Sequence, residues 1–143
     1  MELKPTCDVK ILGHLGLIVA IFKEYDIIDR INLYLPKKSN HQFLSHGEVI
    51  FAMVLQGLGF TNNRPYLASE FFSHLAVREL FGRDVELHHF NSDVYRRTLD
   101  AIFDYGPKRF FTDICFGIVL EYDLLKKFFY IDTTSLYVTG KKY

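Results

Sequence analysis

No charge of either sign dominates this sequence. Its 17 basic and 17 acidic side chains cancel. They also nearly cancel in pieces: six against six over residues 1–60, five against seven over 61–105, and six against four over 106–143. A dedicated nucleic-acid module usually carries a clear basic excess. Composition therefore lends DNA binding no support, although a basic face offset by an acidic one stays open. Cysteine is scarce. Cys7 and Cys115 are far apart, and two thiols make no disulfide scaffold, so reduced thiols in a cytoplasmic protein are the simpler reading. No run approaches the ~18 apolar residues of a membrane span. The early stretch "LGLIVAIF" stops at Lys23, and the opening residues lack the basic, apolar and small-residue pattern of a signal peptide. No membrane partner is expected. There is no internal repeat and no low-complexity segment.

What is there is a core. Hydrophobic residues make up 49% of the 143 positions and aromatics 16%, which argues against intrinsic disorder. The first ~120 residues read as helices separated by turn signals. Gly16 to Tyr25 is one. Asp26 to Leu35 is the next, with Asp26 as N-cap and Pro36 as the stop. Pro36 to Phe43 is a loop by composition. Ser45 and Glu48 form an S-x-x-E capping box, and the body "VIFAMVLQGLGF" is apolar on nearly every face, as suits the centre of a bundle. Gly57 and Gly59 are expected to end it in a left-handed cap. Pro65 opens a further short helix, Ser73 caps the segment ending at Gly82, and "RDVELHHF" is a connector. Asn91 or Ser92 caps a helix from Asp93 to Tyr105. Its apolar stripe is Tyr95, Leu99 and Ile102, widened by Val94, Ala101 and Tyr105. Asp93–Arg97 and Arg96–Asp100 stand one turn apart on its outer face. Gly106 and Pro107 break it before a last helix.

The period then changes. "FFYIDTTSLYV", from Phe128, is β-branched and aromatic, and reads as strand. One or two strands without partners make no stable sheet, so the chain reads as the front of something longer. Asp132 follows the apolar run. An acid at a strand end can ligate a divalent ion for phosphoryl transfer, or it can simply turn the chain by bonding the backbone of Thr134. Two further readings, a phosphate-binding turn and an aspartyl-phosphate nucleophile, lack respectively the glycines and the second acid that they want. The histidines, His88 and His89 included, do not show zinc spacing. Lys37, Lys38, Arg64, Arg96 and Arg97 are the candidate phosphate contacts. Arg96 and Arg97 each have an acid one turn away, whereas Lys37 and Lys38 stand in a loop without one.

Taken in order, "GHLGLIVAIF", "LSHGEVIFAMVLQGLGFTNNRPYLASEFF", "VRELFG", "NSDVYRRTLDAIFDYG" and "FYIDTTSLYVTG" resemble the amino-terminal part of DDE-type insertion-sequence transposases. The resemblance runs from about Leu12 to the last residue. It implies a helical domain of uncharacterised role ahead of an RNase H-like catalytic core. It also makes Asp132 the first acid of the catalytic triad, a ligand to a Mg2+ ion that activates water or a DNA 3′-hydroxyl. DNA at the transposon ends is the implied partner of the intact enzyme. The second Asp and the Glu of the triad have no counterpart in these 143 residues.

The expected fold is therefore mostly α: a compact helical bundle over residues 1–122, then over 123–143 a short β-hairpin or strand that begins a truncated RNase H-like core. The expected function is that of the amino-terminal fragment of a DNA transposase, catalytically incomplete, binding the terminal repeat or pairing two protomers as a homodimer. The alternative is a stand-alone, non-catalytic helical interaction or regulatory module. A small phosphotransfer enzyme using Asp132 as nucleophile is a third reading. The 143-residue chain should show no strand transfer and no nuclease activity with magnesium present; metal-dependent cleavage of a supercoiled plasmid by the pure chain would refute that.

Overall fold

The computed structural model describes residues 13–37, 42–59 and 68–124. Over these the chain is mostly α, without a strand. The helices described are α1 (Leu15–Glu24), α2 (Ile27–Tyr34), α3 (His46–Leu58), α4 (Ala68–Ser73), α5 (Val77–Phe81), α6 (Ser92–Tyr105) and α7 (Pro107–Glu121), with a 3-10 turn at Leu87–His89 before α6. The strand or hairpin expected after residue 123 and the helix start expected at Pro65 lie outside the described residues.

The apolar helix sits where its composition demands. α3 buries Val49, Phe51, Ala52 and Leu55 and packs against α1, α2 and α6. The larger core gathers these with Leu15 and Val19 of α1, Phe71 and Phe72 of α4, Leu80 of α5, Phe90, and Tyr95 of α6. Aromatic rings fill much of it. Phe72 stacks on Phe90 at 4.3 Å between centroids, and Phe51 meets Phe81 edge to face at 5.2 Å. A smaller core joins Ile31 and Leu35 of α2, Ala101 of α6 and Phe110 of α7. Phe110 is the only buried residue of α7.

The capping box forms as spaced: Ser45 Oγ accepts from Glu48 N at 3.2 Å, and Ser45 N donates to Glu48 Oε2 at 2.7 Å. Asn91 caps α6, its side-chain oxygen accepting from Val94 N at 3.1 Å. Gly82 ends α5 in the left-handed region, at φ 68°. Pro107 starts α7, where its missing N–H costs no helical bond.

Other local expectations fail. Asp26 stands at the N-cap position of α2, but at φ 48° its side chain makes no capping bond. Ser73 caps nothing after it; it closes α4, its hydroxyl donating back to Glu70 O at 2.6 Å. Gly57 lies inside α3, and Gly59 follows it at φ −72°, outside the left-handed region. Gly59 answers to packing: a Cβ there would stand 2.7 Å from Phe71 Cε2. In α6 the inward residues are Tyr95, Thr98 and Ala101, while Leu99 is exposed. The Asp93–Arg97 pair does not form, and Arg96–Asp100 closes at 3.5 Å.

Gly47 occupies the tightest place in α3. Its N–H donates to Asn32 Oδ1 at 2.9 Å, and a side chain there would run into the Ile28 carbonyl of α2. Backbone cannot give way as a flexible side chain can, so overpacking there separates the two helices. Gly47→Ala should cost roughly 1–3 kcal/mol, read as a lowered urea midpoint. Gly57→Ala, one helical face away with nothing within 4 Å of the new methyl, should instead stabilise by about 0.5–1 kcal/mol. If both substitutions shift the midpoint in the same direction, close approach is not what Gly47 supplies.

Candidate functional site

Of the residues singled out for phosphate contact, Lys37, Arg96 and Arg97 are described; Lys38, Arg64 and the carboxylate Asp132 lie outside the described residues. Lys37 follows α2, and its Nζ donates to the carbonyls of Gln42 and Phe43 at 3.0 and 3.3 Å. It borders a cleft of about 350 Å3 with Tyr34, Pro36, His46, Asp104 and Tyr105. Arg96 and Arg97 are exposed near the start of α6. Asp104 stands seven residues beyond Arg97, roughly 10 Å along the axis. Lys37 therefore sits at the other end of that helix, and the basic candidates do not converge.

Sequence reasoning passed over Arg83. Its Nε donates to Glu48 Oε1 at 2.7 Å and a terminal nitrogen donates to Phe43 O at 3.1 Å. Its guanidinium also lies 4.5 Å from the centre of the Phe43 ring, a cation–π contact. His89 stacks on Phe43 at 3.7 Å, nearly parallel. His89 Nδ1 accepts from Glu86 N at 3.2 Å, which leaves the proton of its neutral ring on Nε2. Burial, with His88 and Arg83 nearby, lowers the pKa of His89. The "RDVELHHF" connector is thus a clamp that holds the entry to α3. Its only sequence signal was Glu48, whose second oxygen needed a donor.

His46 is buried between α3 and α6. Its Nδ1 lies 3.0 Å from Thr98 Oγ1, and Thr98 Oγ1 donates to Val94 O at 3.0 Å. A hydroxyl has one proton, so His46 Nδ1 is the donor in this pair. Satisfied in this way, Thr98 takes the inward position that Leu99 was expected to fill. The Tyr95 hydroxyl, by contrast, is buried with no partner among the described residues, and burial drives its pKa up.

Among the described residues no three His, Cys, Asp or Glu stand where they would hold a metal ion. No described helix is long and apolar enough to cross a membrane. A second cleft, of about 370 Å3, has Phe22, Phe51 and Phe81 in its wall and Asp26, Asp29 and Lys23 among its polar groups. Glu48 borders it but is already engaged by Arg83. Among the described residues, exposed large apolar side chains also stand on α6 and α7. Leu99 and Phe103 point outward from α6, and Phe111, Phe116 and Leu120 from α7. The outer side of α6 also carries Asp93, Asp100 and Asp104 against Arg96 and Arg97, all exposed. That is a mixed-charge, partly apolar surface, without the basic excess that tracks a phosphate backbone.

The described residues form a small helical domain. The chain belongs to the family described as a domain of unknown function, DUF4277, which matches residues 7–116. No curated protein and no solved structure matches the chain.

Burial raises the pKa of Glu48, but Arg83 and the Ser45 backbone N–H outweigh it, and the net shift is downward. A carboxylate with a lowered folded pKa adds stability that is fully present above its ordinary value of about 4.3 and is lost as pH falls through the folded value. Glu48→Gln should cost roughly 1–3 kcal/mol at pH 7. It should also flatten the fall of the thermal midpoint below pH 4. A Gln variant with an unchanged acid limb would show that Glu48 is not linked to folding.

Proposed function

We propose that this chain is the helical part of a DDE-type insertion-sequence transposase, and that the described domain pairs protomers rather than gripping DNA ends. The transposase reading is supported by the ordered run of motifs from "GHLGLIVAIF" to "FYIDTTSLYVTG". Under this reading the segment after residue 124 supplies the first strand of an RNase H-like core, with Asp132 as its first acid. The Mg2+ of such enzymes has one carried-over ligand here, Asp132. The described residues bring no metal-binding group together to complete a site, so no chemical step is derived through the ion.

Pairing rests on one observation, the outer side of α6. Three exposed acids stand there among two exposed arginines, with Leu99 and Phe103 exposed beside them. A helix against duplex DNA neutralises phosphates with unopposed Lys and Arg. On α6 the acids would face the same phosphates, and exposed apolar side chains suit a protein surface better. Lys37 would have to surrender two carbonyls to reach a phosphate. The same observation fits a stand-alone interaction module.

The two roles separate in solution. The chain should self-associate at micromolar concentration in sedimentation velocity. Its affinity for labelled element-end duplex should be no tighter than the ~10⁻⁴–10⁻⁶ M of non-specific contact at physiological salt. Nanomolar, sequence-selective binding by a monomer would reverse the assignment.

A further inference from the structure

The second half of α7 carries no charge, hydroxyl or amide side chain on any face. Residues 114–120 read "ICFGIVL", which is about two helical turns. A helix that is apolar all round belongs in an interior. Here only one side is taken up. Ile114 packs against the smaller core, and Gly117 faces α2, where a Cβ would stand 3.5 Å from the Arg30 guanidinium. Phe116 and Leu120 are 56% and 58% exposed, and Val119 between them in sequence is half-buried. The end of the helix is pinned where it stands. The Tyr122 ring meets Tyr25 edge to face at 4.7 Å between centroids, its hydroxyl donates to Glu24 O at 3.0 Å, and Glu121 pairs with Arg30. α7 is therefore not free to roll its open sides inward.

The chain then turns. Asp123 stands in the left-handed region at φ 50°, and Leu124 N donates to Val119 O at 2.9 Å. That is the six-to-one bond of a Schellman ending. It folds Leu124 back beside the last turn instead of carrying the backbone onward along the helix axis.

We infer that the segment that follows in the same chain, residues 128–138, packs over the C-terminal half of α7 and buries it. This rests on the reading of that segment as strand and names the helix that covers it. Strands and helices are stable in layers, each hiding the apolar face of the other. The segment offers two apolar runs, "FFYI" and "LYV". Reach is ample. The apolar half of α7 is about 10 Å long, a length that about three residues of strand span. The tether selects this occupant over others. A segment attached at Leu124 meets α7 at an effective concentration on the order of mM, above that of a second copy at micromolar concentration. A polyanion finds no cation on residues 114–120, and the neighbouring Glu121 is acidic and already engaged by Arg30.

Hydrogen exchange of the full chain, read by peptide mass spectrometry, tests this. In the wild type the amides of residues 128–138 should exchange well below the unstructured rate, equally at low and high protein concentration. Phe116→Ser and Leu120→Ser should each raise that exchange roughly tenfold or more, the change expected when one large apolar side chain loses its cover. The α3 amides, read in the same spectra, should keep their protection and so show that both variants remain folded. Leu33→Ser, at a position 76% exposed on α2, should alter neither region. Unstructured exchange across residues 128–138 in the wild type overturns the contact and the strand together. Protection that ignores both α7 substitutions overturns the contact and leaves the strand standing. Protection that appears only at high concentration also overturns it, because the cover then comes from another chain.

Discussion

The first turn of α3 lies so close to α2 that only a glycine fits at position 47, and its neighbours are committed in other directions. Ser45 and Glu48 cap the helix for each other. His46 reaches α6 through Thr98. Gly47 hydrogen-bonds Asn32 of α2. Glu48 then takes the Arg83 guanidinium from the segment after α5. Four consecutive residues thus bind three separate parts of the chain, and each bond has a direction. Hydrophobic burial supplies most of the driving force for folding but no direction of its own. The helix start sets the angle at which the apolar body of α3 enters the core.

The division of the core follows from that angle. One face of α3 feeds the large aromatic cluster, and Ile50 turns towards the smaller one beside α2, α6 and α7. α7 contributes only Phe110 as a buried side chain. Burying one such side chain is worth ~1.5–3 kcal/mol, little for a helix of 15 residues. The rest of its attachment is partly buried or peripheral: Ile114 against the smaller core, Arg30 to Glu121, Tyr105 to Asp113, and Tyr122 to the Glu24 carbonyl and the Tyr25 ring. Exposed pairs of this kind contribute modestly.

What could be read in the sequence was local. The Ser45–Glu48 box, the Asn91 cap, Gly82 and Pro107 depend on residues within a few positions of each other, and all four stand as spaced. The burial of α3 was legible because no face of it was polar. The misreadings arise from contacts across the fold. Gly59 has the composition of a cap, but the Phe71 ring dictates it. Leu99 fits the 3.6-residue stripe better than Thr98 does, yet Thr98 points inward because His46 and the Val94 carbonyl satisfy its hydroxyl. A buried polar group with its bonds made removes the usual penalty. The stripe then shifts by one residue and leaves Leu99 in solvent. Arg83 escaped notice for the same reason, since its partners lie 35 and 40 residues away. Of the candidate site residues, spacing identified Arg96 and Arg97 as outer-face residues of α6, but could not show that Lys37 would stand at the opposite end.

That one-residue shift bears on function. Had Leu99 been inside, Phe103 would be the one large apolar side chain exposed on α6 among the arginines and aspartates. With Leu99 outside, it lies one turn from Phe103, and the two continue at four-residue spacing the row that begins with the buried Tyr95. Water-facing apolar side chains of this size are tolerated singly; set one turn apart on two adjoining helices, they favour a surface that excludes water. The aspartates among them weaken any pull on a polyanion, while a surface of balanced charge can meet its own copy without net repulsion. The hydrogen bond that places Thr98 in the core is thus also the bond that leaves Leu99 beside Phe103 in solvent.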